Sequence, residues 1–214
     1  MSDIMKLKDQ TGAGIMDCKS ALTETGGDFN KAVALLRERG MAKAAKKEGS
    51  DRINSEGVVF TYSHMGGKIA VMVEINCETD FAAKNEKFQE LGKGIAMHIA
   101  AANPLYLDES QVPTTQLDAE KEILRKKAIN EKKPAAVIEK MLEGQVKKYY
   151  SEICLIHQEY VREPGKTIKE IVSEAVASIG EKITIRRFAR FEMGEGLAKK
   201  EDDFAAEVAK TMKG

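Results

Sequence analysis

The first forty residues carry apolar side chains at the spacing of α-helices. A first short helix is predicted to end near Gly12. Ile15, Cys18 and Leu22 then recur at i, i+3 and i+7, which places them on one face of a second helix. The chain therefore begins with at least two short helices that need a shared core.

A third helix is predicted from Phe29, where Asp28 is placed to cap the N-terminus. Its apolar stripe consists of Phe29, Ala32, Val33 and Leu36. Gly40 is predicted to end this helix, so residues 1–41 are expected to form a compact three-helix module. Residues 42–54 are basic and polar without an apolar stripe, which indicates a partly helical basic linker.

The apolar period then changes to two, the period of a strand with one buried face. Two alternating runs are separated by Gly66 and Gly67, a pattern typical of a β-hairpin. The alternating positions are Val58, Phe60 and Tyr62 in the first run, and Ile69, Val71, Val73 and Ile75 in the second. A long helix follows and is predicted to stop at Asn103, before Pro104. Its apolar face contains Phe88, Leu91, Ile95 and Ile99.

Residues 115–150 are helical again, with an interruption at residues 130–134 that predicts an antiparallel helical hairpin. Residues 153–161 are predicted to be a third β-type stretch. A short helix capped by Thr167 and a strand around Ile185 complete the periodic part of the chain.

These elements predict an α+β fold. The three-helix module at residues 1–41 and the linker at 42–54 precede an antiparallel-sheet core with covering helices at 55–194. The helical hairpin at about 115–150 is expected to protrude from this core. Residues 195–214 are expected to form a C-terminal amphipathic helix.

Composition narrows the classes of function. Hydrophobic residues make up 43% of the 214 residues and charged residues 32%, which is globular composition and argues against disorder. Lys and Arg together number 34, as do Asp and Glu, so a dedicated nucleic-acid binder is not favoured. The N-terminus lacks the apolar core of a signal peptide, and no apolar run has the ~18 residues of a membrane span. The protein is therefore expected to be cytoplasmic.

No residue pattern indicates a catalytic, metal or cofactor site. Cys18, Cys77 and Cys154 are far apart and odd in number, so they are expected to be buried free thiols. The three histidines have no i, i+4 partner and no ligand spacing. No nucleophile elbow of the G-x-S-x-G type occurs, and the chain is expected not to be an enzyme.

One segment is similar to the end of a phosphate-binding loop, because Gly165 and Lys166 precede Thr167 at the start of a helix. Such a loop also requires glycine at position 160, which is Tyr160 here. Thr167 is therefore interpreted as a helix N-cap, and an enzyme acting on a nucleotide is disfavoured.

The predicted helical hairpin is locally basic, with nine Lys or Arg against six Asp or Glu between Asp118 and Tyr150. Phosphate contacts need only such cations, so a basic adaptor that binds RNA or the ribosome is an alternative function. The charges are interleaved, however, and aromatic residues are confined to Tyr149 and Tyr150. A solvated charged face explains the same pattern.

Three segments, in order, resemble signatures of the bacterial elongation factor Ts family. They are TGAGIMDCKSAL at 11–22, EINCETDF at 74–81 and IAMHIAA at 95–101. The closing DFAAEV at 203–208 is also similar. The resemblance covers essentially the whole chain. It implies a translation elongation factor that acts as a guanine nucleotide exchange factor: it binds elongation factor Tu with GDP, disturbs its magnesium site and promotes GDP release.

The resemblance also assigns contact residues. The N-terminal module, similar to a ubiquitin-associated domain, is implied to dock on the GTPase with Lys19 as a contact. The residues implied to insert beside the magnesium site are Thr79, Asp80, Phe81 and Ala82. The other implied contacts are Ile69, Ala70, His98, Val161 and Arg162. Ala82 and Ala70 depart from the Val and Gly of other members.

The chemistry of these residues fits an exchange mechanism, although each alone also fits an ordinary structural role. Phe81 follows a strand, where it serves either as a wedge for a partner or as a core aromatic after a helix cap. His98 fits a histidine at the edge of the core, and Lys19 fits a surface charge. Longer family members carry two related core subdomains, so this short chain is expected to form a homodimer. No cofactor, membrane or direct nucleic-acid partner is implied.

Overall fold

The computed structural model describes residues 2–49, 54–131 and 134–197. The described part contains the helices α1 (Asp3–Thr11), α2 (Ile15–Glu24), α3 (Phe29–Glu48), α4 (Asp80–Ala83), α5 (Glu86–Ala102), α6 (Thr114–Asn130), α7 (Ala135–Ile153) and α8 (Ile168–Ile179). Its strands are β1 (Glu56–His64), β2 (Ile69–Cys77) and β3 (Thr184–Glu192). This architecture confirms the predicted α+β class. Most of the helix predicted at residues 195–214 lies outside the described residues.

The three strands form one antiparallel sheet in the order β1-β2-β3. The predicted hairpin is confirmed, since Glu56 pairs with Cys77 at one end and His64 with Ile69 at the other. Gly66 and Gly67 in the connecting turn have φ values of 67° and 93°, a conformation that glycine adopts without a steric penalty. β2 is therefore the central strand, hydrogen-bonded on both sides.

The main hydrophobic core lies between the sheet and α5. β2 turns Val71, Val73 and Ile75 inward, and α5 contributes Phe88 and Ile95, all at most 2% exposed. Each such side chain gains about 1.5–3 kcal/mol by leaving water. The apolar faces that the sequence predicts for β2 and α5 thus pack against each other.

The N-terminal helices enclose a separate small core. Its buried members are Leu7, Cys18, Ala21, Ala32 and Leu36. The carboxylate of Asp28 accepts a hydrogen bond from the backbone N–H of Lys31 at 3.0 Å, which confirms the predicted N-cap of α3. α1, α2 and the first half of α3 therefore share one apolar cluster, as the pattern in the first forty residues indicates.

The predicted end of the third helix at Gly40 is wrong, because α3 continues to Glu48. A β-carbon added at Gly40 would lie 3.0 Å from Cβ of Ala177 in α8. The glycine therefore allows α3 and α8 to pack closely. Ala44, in the region predicted to be a linker, is 4% exposed and belongs to the main core.

The helical hairpin is confirmed, with α6 and α7 joined by the segment 131–134. The two helices share a small apolar cluster of Leu124, Ala128, Ile138 and Leu142. In the described part of the chain, no helix combines the length and the hydropathy that crossing a membrane requires.

The β-type stretch predicted at residues 153–161 is wrong. Ile153 ends α7, and a 3₁₀ turn occupies residues 155–157. The segment forms only isolated bridges, from Cys154 to Tyr106 and from Glu159 to Thr167. Its backbone thus bonds to two different partners, and no continuous ladder forms.

All three cysteines are buried free thiols, as predicted. Burial raises the pKa of the Cys154 thiol to about 11. Burial also raises the pKa of Cys77. Both thiols are therefore protonated near neutral pH, which disfavours reactivity.

Candidate functional site

The candidate site is the single helical turn α4, which directly follows the central strand β2. Thr79 has an extended backbone, and its hydroxyl accepts a hydrogen bond from the N–H of Ala82 at 3.2 Å. This is N-cap geometry, and it redirects the chain from the strand into the helical turn. Phe81, two residues after Thr79, is 81% exposed.

The turn is amphipathic within four residues. Ala82 and Ala83 are 5% and 7% exposed and belong to the main core. Because they face inward, Phe81 is left pointing outward. The core-aromatic interpretation therefore fails for Phe81, whose ring contacts solvent. The helix cap is Thr79, whereas Asp80 lies inside the first turn of α4.

Asp80 lies beside Phe81 in the first turn of α4, where the helix dipole favours an anion. Its carboxylate accepts a hydrogen bond from Nζ of Lys84 at 2.7 Å. This bond lowers the pKa of Asp80. An ionised carboxylate and an exposed aromatic ring are thus presented side by side on one short turn.

Sequence reasoning did not identify Glu181, which contacts this turn. Its carboxylate accepts hydrogen bonds from the backbone N–H of Thr79 at 3.0 Å and from the Thr79 hydroxyl at 2.7 Å. One residue further, the N–H of Lys182 donates to the Glu78 carboxylate at 2.7 Å. No local motif links these segments, which are more than 100 residues apart.

His98 is completely buried, so the contact implied for it does not come from an exposed ring. Its Nδ1 accepts a hydrogen bond from the N–H of Val161 at 3.3 Å, and its Nε2 lies 3.0 Å from Oε1 of Gln158. These partners require a neutral ring with the proton on Nε2. Burial lowers the pKa of His98, which favours the same state. His98 thus holds the segment of Val161 and Arg162, both exposed.

Ile69 and Ala70 lie at the hairpin end of β2. Ile69 is eight residues before Cys77, a separation of about 26 Å along a strand. Ile69 packs against the main core, whereas Ala70 is exposed on the other face of the sheet. Near this end, the guanidinium of Arg190 donates to the carbonyl of Ala100, late in α5.

The implied contacts therefore fall into separate regions. Thr79, Asp80, Phe81 and Ala82 lie at one end of the sheet. Ile69, Ala70, His98, Val161 and Arg162 lie toward the other end. Lys19 is exposed on α2 together with Ile15 and Met16, which are 51% and 74% exposed.

The segment similar to a phosphate-binding loop has a structural explanation. The hydroxyl of Thr167 accepts from the N–H of Glu170, and the Glu170 carboxylate accepts from the N–H of Thr167, which forms a capping box at the start of α8. Nζ of Lys166 pairs with Glu163 at 2.5 Å and Glu174 at 2.8 Å. The lysine is thus neutralised within the chain.

Metal chemistry has no obvious location in the described residues, where no group of three His, Cys, Asp or Glu side chains is arranged to hold an ion. The turn α4 exposes an apolar ring and a carboxylate side by side.

Comparison with known proteins gives a consistent family assignment. The model of the family described as "Elongation factor TS" matches residues 29–195. Elongation factor Ts of Citrifermentans bemidjiense is 58% identical over 208 residues, which cover 97% of this chain and 95% of the relative. Those of Desulforamulus reducens and Carboxydothermus hydrogenoformans are 54% and 55% identical over 212 and 210 residues. These matches cover 99% and 98% of this chain, and 97% and 96% of the relatives. The chain therefore belongs to the elongation factor Ts family of translation elongation factors.

Proposed function

We propose that this protein is a guanine nucleotide exchange factor for elongation factor Tu. It binds the GDP-bound GTPase, disturbs the magnesium site and promotes GDP release so that GTP can bind. The family assignment supports a role in translation elongation, and the observation that carries the mechanism is the 81% exposure of Phe81 on a capped turn. The activity is non-covalent, so no bond is made or broken.

Phe81 acts as the wedge. Its ring remains in water in the free protein, and its burial in an apolar cleft of the partner contributes about 1.5–3 kcal/mol. The inward-facing Ala82 and Ala83 prevent the turn from folding the ring back onto its own core. Ala82 anchors the turn to the main core, and Thr79 caps the turn and so fixes its direction.

Asp80 supplies the electrostatic part of the action. Its ionised carboxylate can draw hydrogen bonds from the groups around a magnesium ion, which depends on near-ideal octahedral oxygen ligands. Disturbance of that ion weakens phosphate binding, because the metal neutralises the phosphate charge. GDP affinity then falls without direct contact to the nucleotide.

Exchange requires more binding energy than one ring supplies. If the factor binds the empty GTPase more tightly than the GDP form, GDP weakens binding of the factor by the same ratio. A ratio of ~10⁴ needs about 5.5 kcal/mol of differential affinity. The exposed surface around Lys19 and the region of Ile69, Ala70, Val161 and Arg162 supply the remaining contacts. His98 acts there by holding Val161.

We further propose that two copies associate through the sheet. α5 covers one face of the sheet, whereas the other face exposes Val59, Met72 and Phe191 at 57%, 49% and 65%. These three residues lie on adjacent strands of the sheet. Two antiparallel sheets commonly pack through such apolar faces, and a two-fold axis lets one surface pair with itself.

The alternative of an RNA- or ribosome-binding adaptor is less well supported. Cations on the helical hairpin pair with carboxylates of the same hairpin, including Lys126 with Glu122 at 3.8 Å and Arg125 with Glu139 at 3.3 Å. Such pairing reduces the positive potential available to phosphates. A solvated charged face accounts for this pattern.

The test is the release of a fluorescent GDP analogue from elongation factor Tu, followed with and without the protein. We expect acceleration by the wild-type protein, and a maximal rate about 10–100-fold lower for Phe81→Ala, as expected for a loss of about 1.5–3 kcal/mol. Ile123→Ala is the matched control, because Ile123 is 60% exposed on α6 and distant in sequence from the turn. An unchanged rate for Phe81→Ala refutes the wedge. Binding to RNA that falls steeply with salt and ignores the GTPase favours the adaptor.

A further inference from the structure

The turn that carries Phe81 is too short to maintain its own shape. α4 contains four residues, and a single helical turn is unfavourable in isolation because it fixes several dihedral angles for one hydrogen bond. The direction of the Phe81 ring therefore depends on contacts that hold the turn from outside.

Glu181 provides such a contact from the connection between α8 and β3. Its two carboxylate oxygens accept separately from Thr79: Oε2 from the backbone N–H at 3.0 Å, and Oε1 from the hydroxyl at 2.7 Å. Hydrogen bonds to an ionised acceptor are stronger than those between neutral groups. Both bonds are partly shielded from solvent.

The bond to the hydroxyl also determines how Thr79 caps the helix. A threonine hydroxyl has one proton to donate and two lone pairs to accept with. Because the proton is directed to Glu181, a lone pair is free to accept from the N–H of Ala82 at 3.2 Å. Glu181 thus orients the cap that directs the chain at Phe81.

The connection that carries Glu181 is itself well anchored. Gly180 ends α8 with a φ of 83°, and Ile168 and Val176 of α8 are 0% and 6% exposed in the main core. A second hydrogen bond joins the same two segments in the opposite direction, from the N–H of Lys182 to the carboxylate of Glu78. Two consecutive residues at the end of β2 are therefore held by two consecutive residues after α8.

We propose that Glu181 is a positioning residue for exchange. It fixes Thr79, and through Thr79 it holds Asp80 and Phe81 in the orientation that the GTPase meets. Glu181 is partly buried, and in this proposal it acts through Thr79 and not by contact with the GTPase. This inference rests on the proposed exchange function and adds to it a residue that no motif identifies.

The matched control is Glu170, which forms the same pair of contacts at the other end of α8. Its Oε2 accepts from the N–H of Thr167 at 2.8 Å and from the Thr167 hydroxyl at 3.0 Å. Glu170→Ala removes an equivalent carboxylate–threonine contact far along the helix from α4. The two variants therefore separate a loss of stability from a loss of orientation.

The test measures GDP release from elongation factor Tu over a range of concentrations of each full-length variant. We expect Glu181→Ala to lower the maximal release rate about tenfold, which corresponds to about 1.4 kcal/mol. The concentration for half-maximal rate should change less than threefold, because the other contact regions are intact. Glu181→Gln keeps the shape and one acceptor oxygen, so an intermediate rate is expected. Glu170→Ala should stay within twofold of the wild-type maximal rate.

A double-substitution cycle identifies the route of action. If Glu181 acts only by presenting the turn, Glu181→Ala should cause no further loss in protein that already carries Phe81→Ala. Equal maximal rates for Glu181→Ala and the wild type, or fully additive losses in the cycle, refute the positioning role. If Glu181→Ala fails to fold, Glu181→Gln at the wild-type rate refutes it too. Wild-type protein without any effect on GDP release refutes the exchange function, and the positioning role with it.

Discussion

The ring of Phe60 lies directly against the backbone of Gly92. A β-carbon added at Gly92 would be 2.0 Å from Cε2 of that ring, and the other two nearest atoms, at 2.2 and 2.3 Å, also belong to it. Phe60 is also fixed from the side by Phe88, with ring centroids 5.9 Å apart. The glycine in the middle of α5 therefore lets the helix approach the sheet closely.

Gly92→Ala should destabilise the protein by about 1–3 kcal/mol, since the Phe60 ring must move in a filled core. Gly144→Ala is the control, because Gly144 also lies inside a helix but has no atom within 4 Å of an added β-carbon. There the substitution should stabilise by about 0.5–1 kcal/mol through reduced backbone freedom. Urea unfolding checks both, and equal effects at the two positions contradict the packing argument.

Stability should fall as the pH decreases below about 6.5, because of His98. Burial lowers the pKa of His98 in the folded chain, whereas an unfolded histidine titrates near 6.5. Between these two values the unfolded chain binds a proton that the folded chain does not, so unfolding is favoured by acid. One such group gives a slope of at most about 1.4 kcal/mol per pH unit.

Urea unfolding between pH 5 and pH 8 measures this slope. Carboxylates such as Glu74 and Glu170 have lowered pKa values and affect stability at more acidic pH. His98→Gln retains a donor for Gln158 but does not titrate. The free energy of unfolding of this variant should therefore not change with pH between pH 5 and pH 8. If the unfolding free energy of His98→Gln still falls with decreasing pH, another group causes the effect.

The outer face of the sheet should mediate dimerisation. Phe191→Asp places an unpaired charge in the proposed interface. The molar mass of this variant, measured by light scattering, should be 23.6 kDa, whereas that of the wild-type dimer should be twice this value. Phe81→Asp, at an aromatic with comparable exposure, should remain dimeric because it lies beyond the opposite end of β2. A wild-type protein with the mass of one chain refutes the proposed dimer.

Periodic elements are predictable from the sequence because their signal is local. The period of two in β2 and the stripe of α5 each reflect one buried face, and the caps at Asp28 and Thr167 lie next to the helices they begin. The helix end predicted at Gly40 is wrong because a glycine that ends a helix and one that lets two helices touch have the same local signature. Only the position of Ala177 distinguishes them.

The candidate site was predictable in part. The position of Phe81 after a strand suggested both a wedge and a core aromatic, and its exposure depends on which neighbours fill the core. Glu181 could not be predicted, because its contact with Thr79 joins residues 102 positions apart. The exchange roles assigned to these residues stay predictions until release rates are measured.

The continuity of α3 has a consequence for how a partner can be held. This helix contributes Ala32 and Leu36 to the N-terminal cluster and Ala44 to the main core, over 20 residues or about 30 Å. The helix therefore holds the N-terminal cluster, beside which Lys19 is exposed, at a fixed distance from the main core, beside which Phe81 is exposed. Under the proposed exchange function, a GTPase whose two receptor sites change separation during its cycle fits both surfaces only in the conformation that matches this distance.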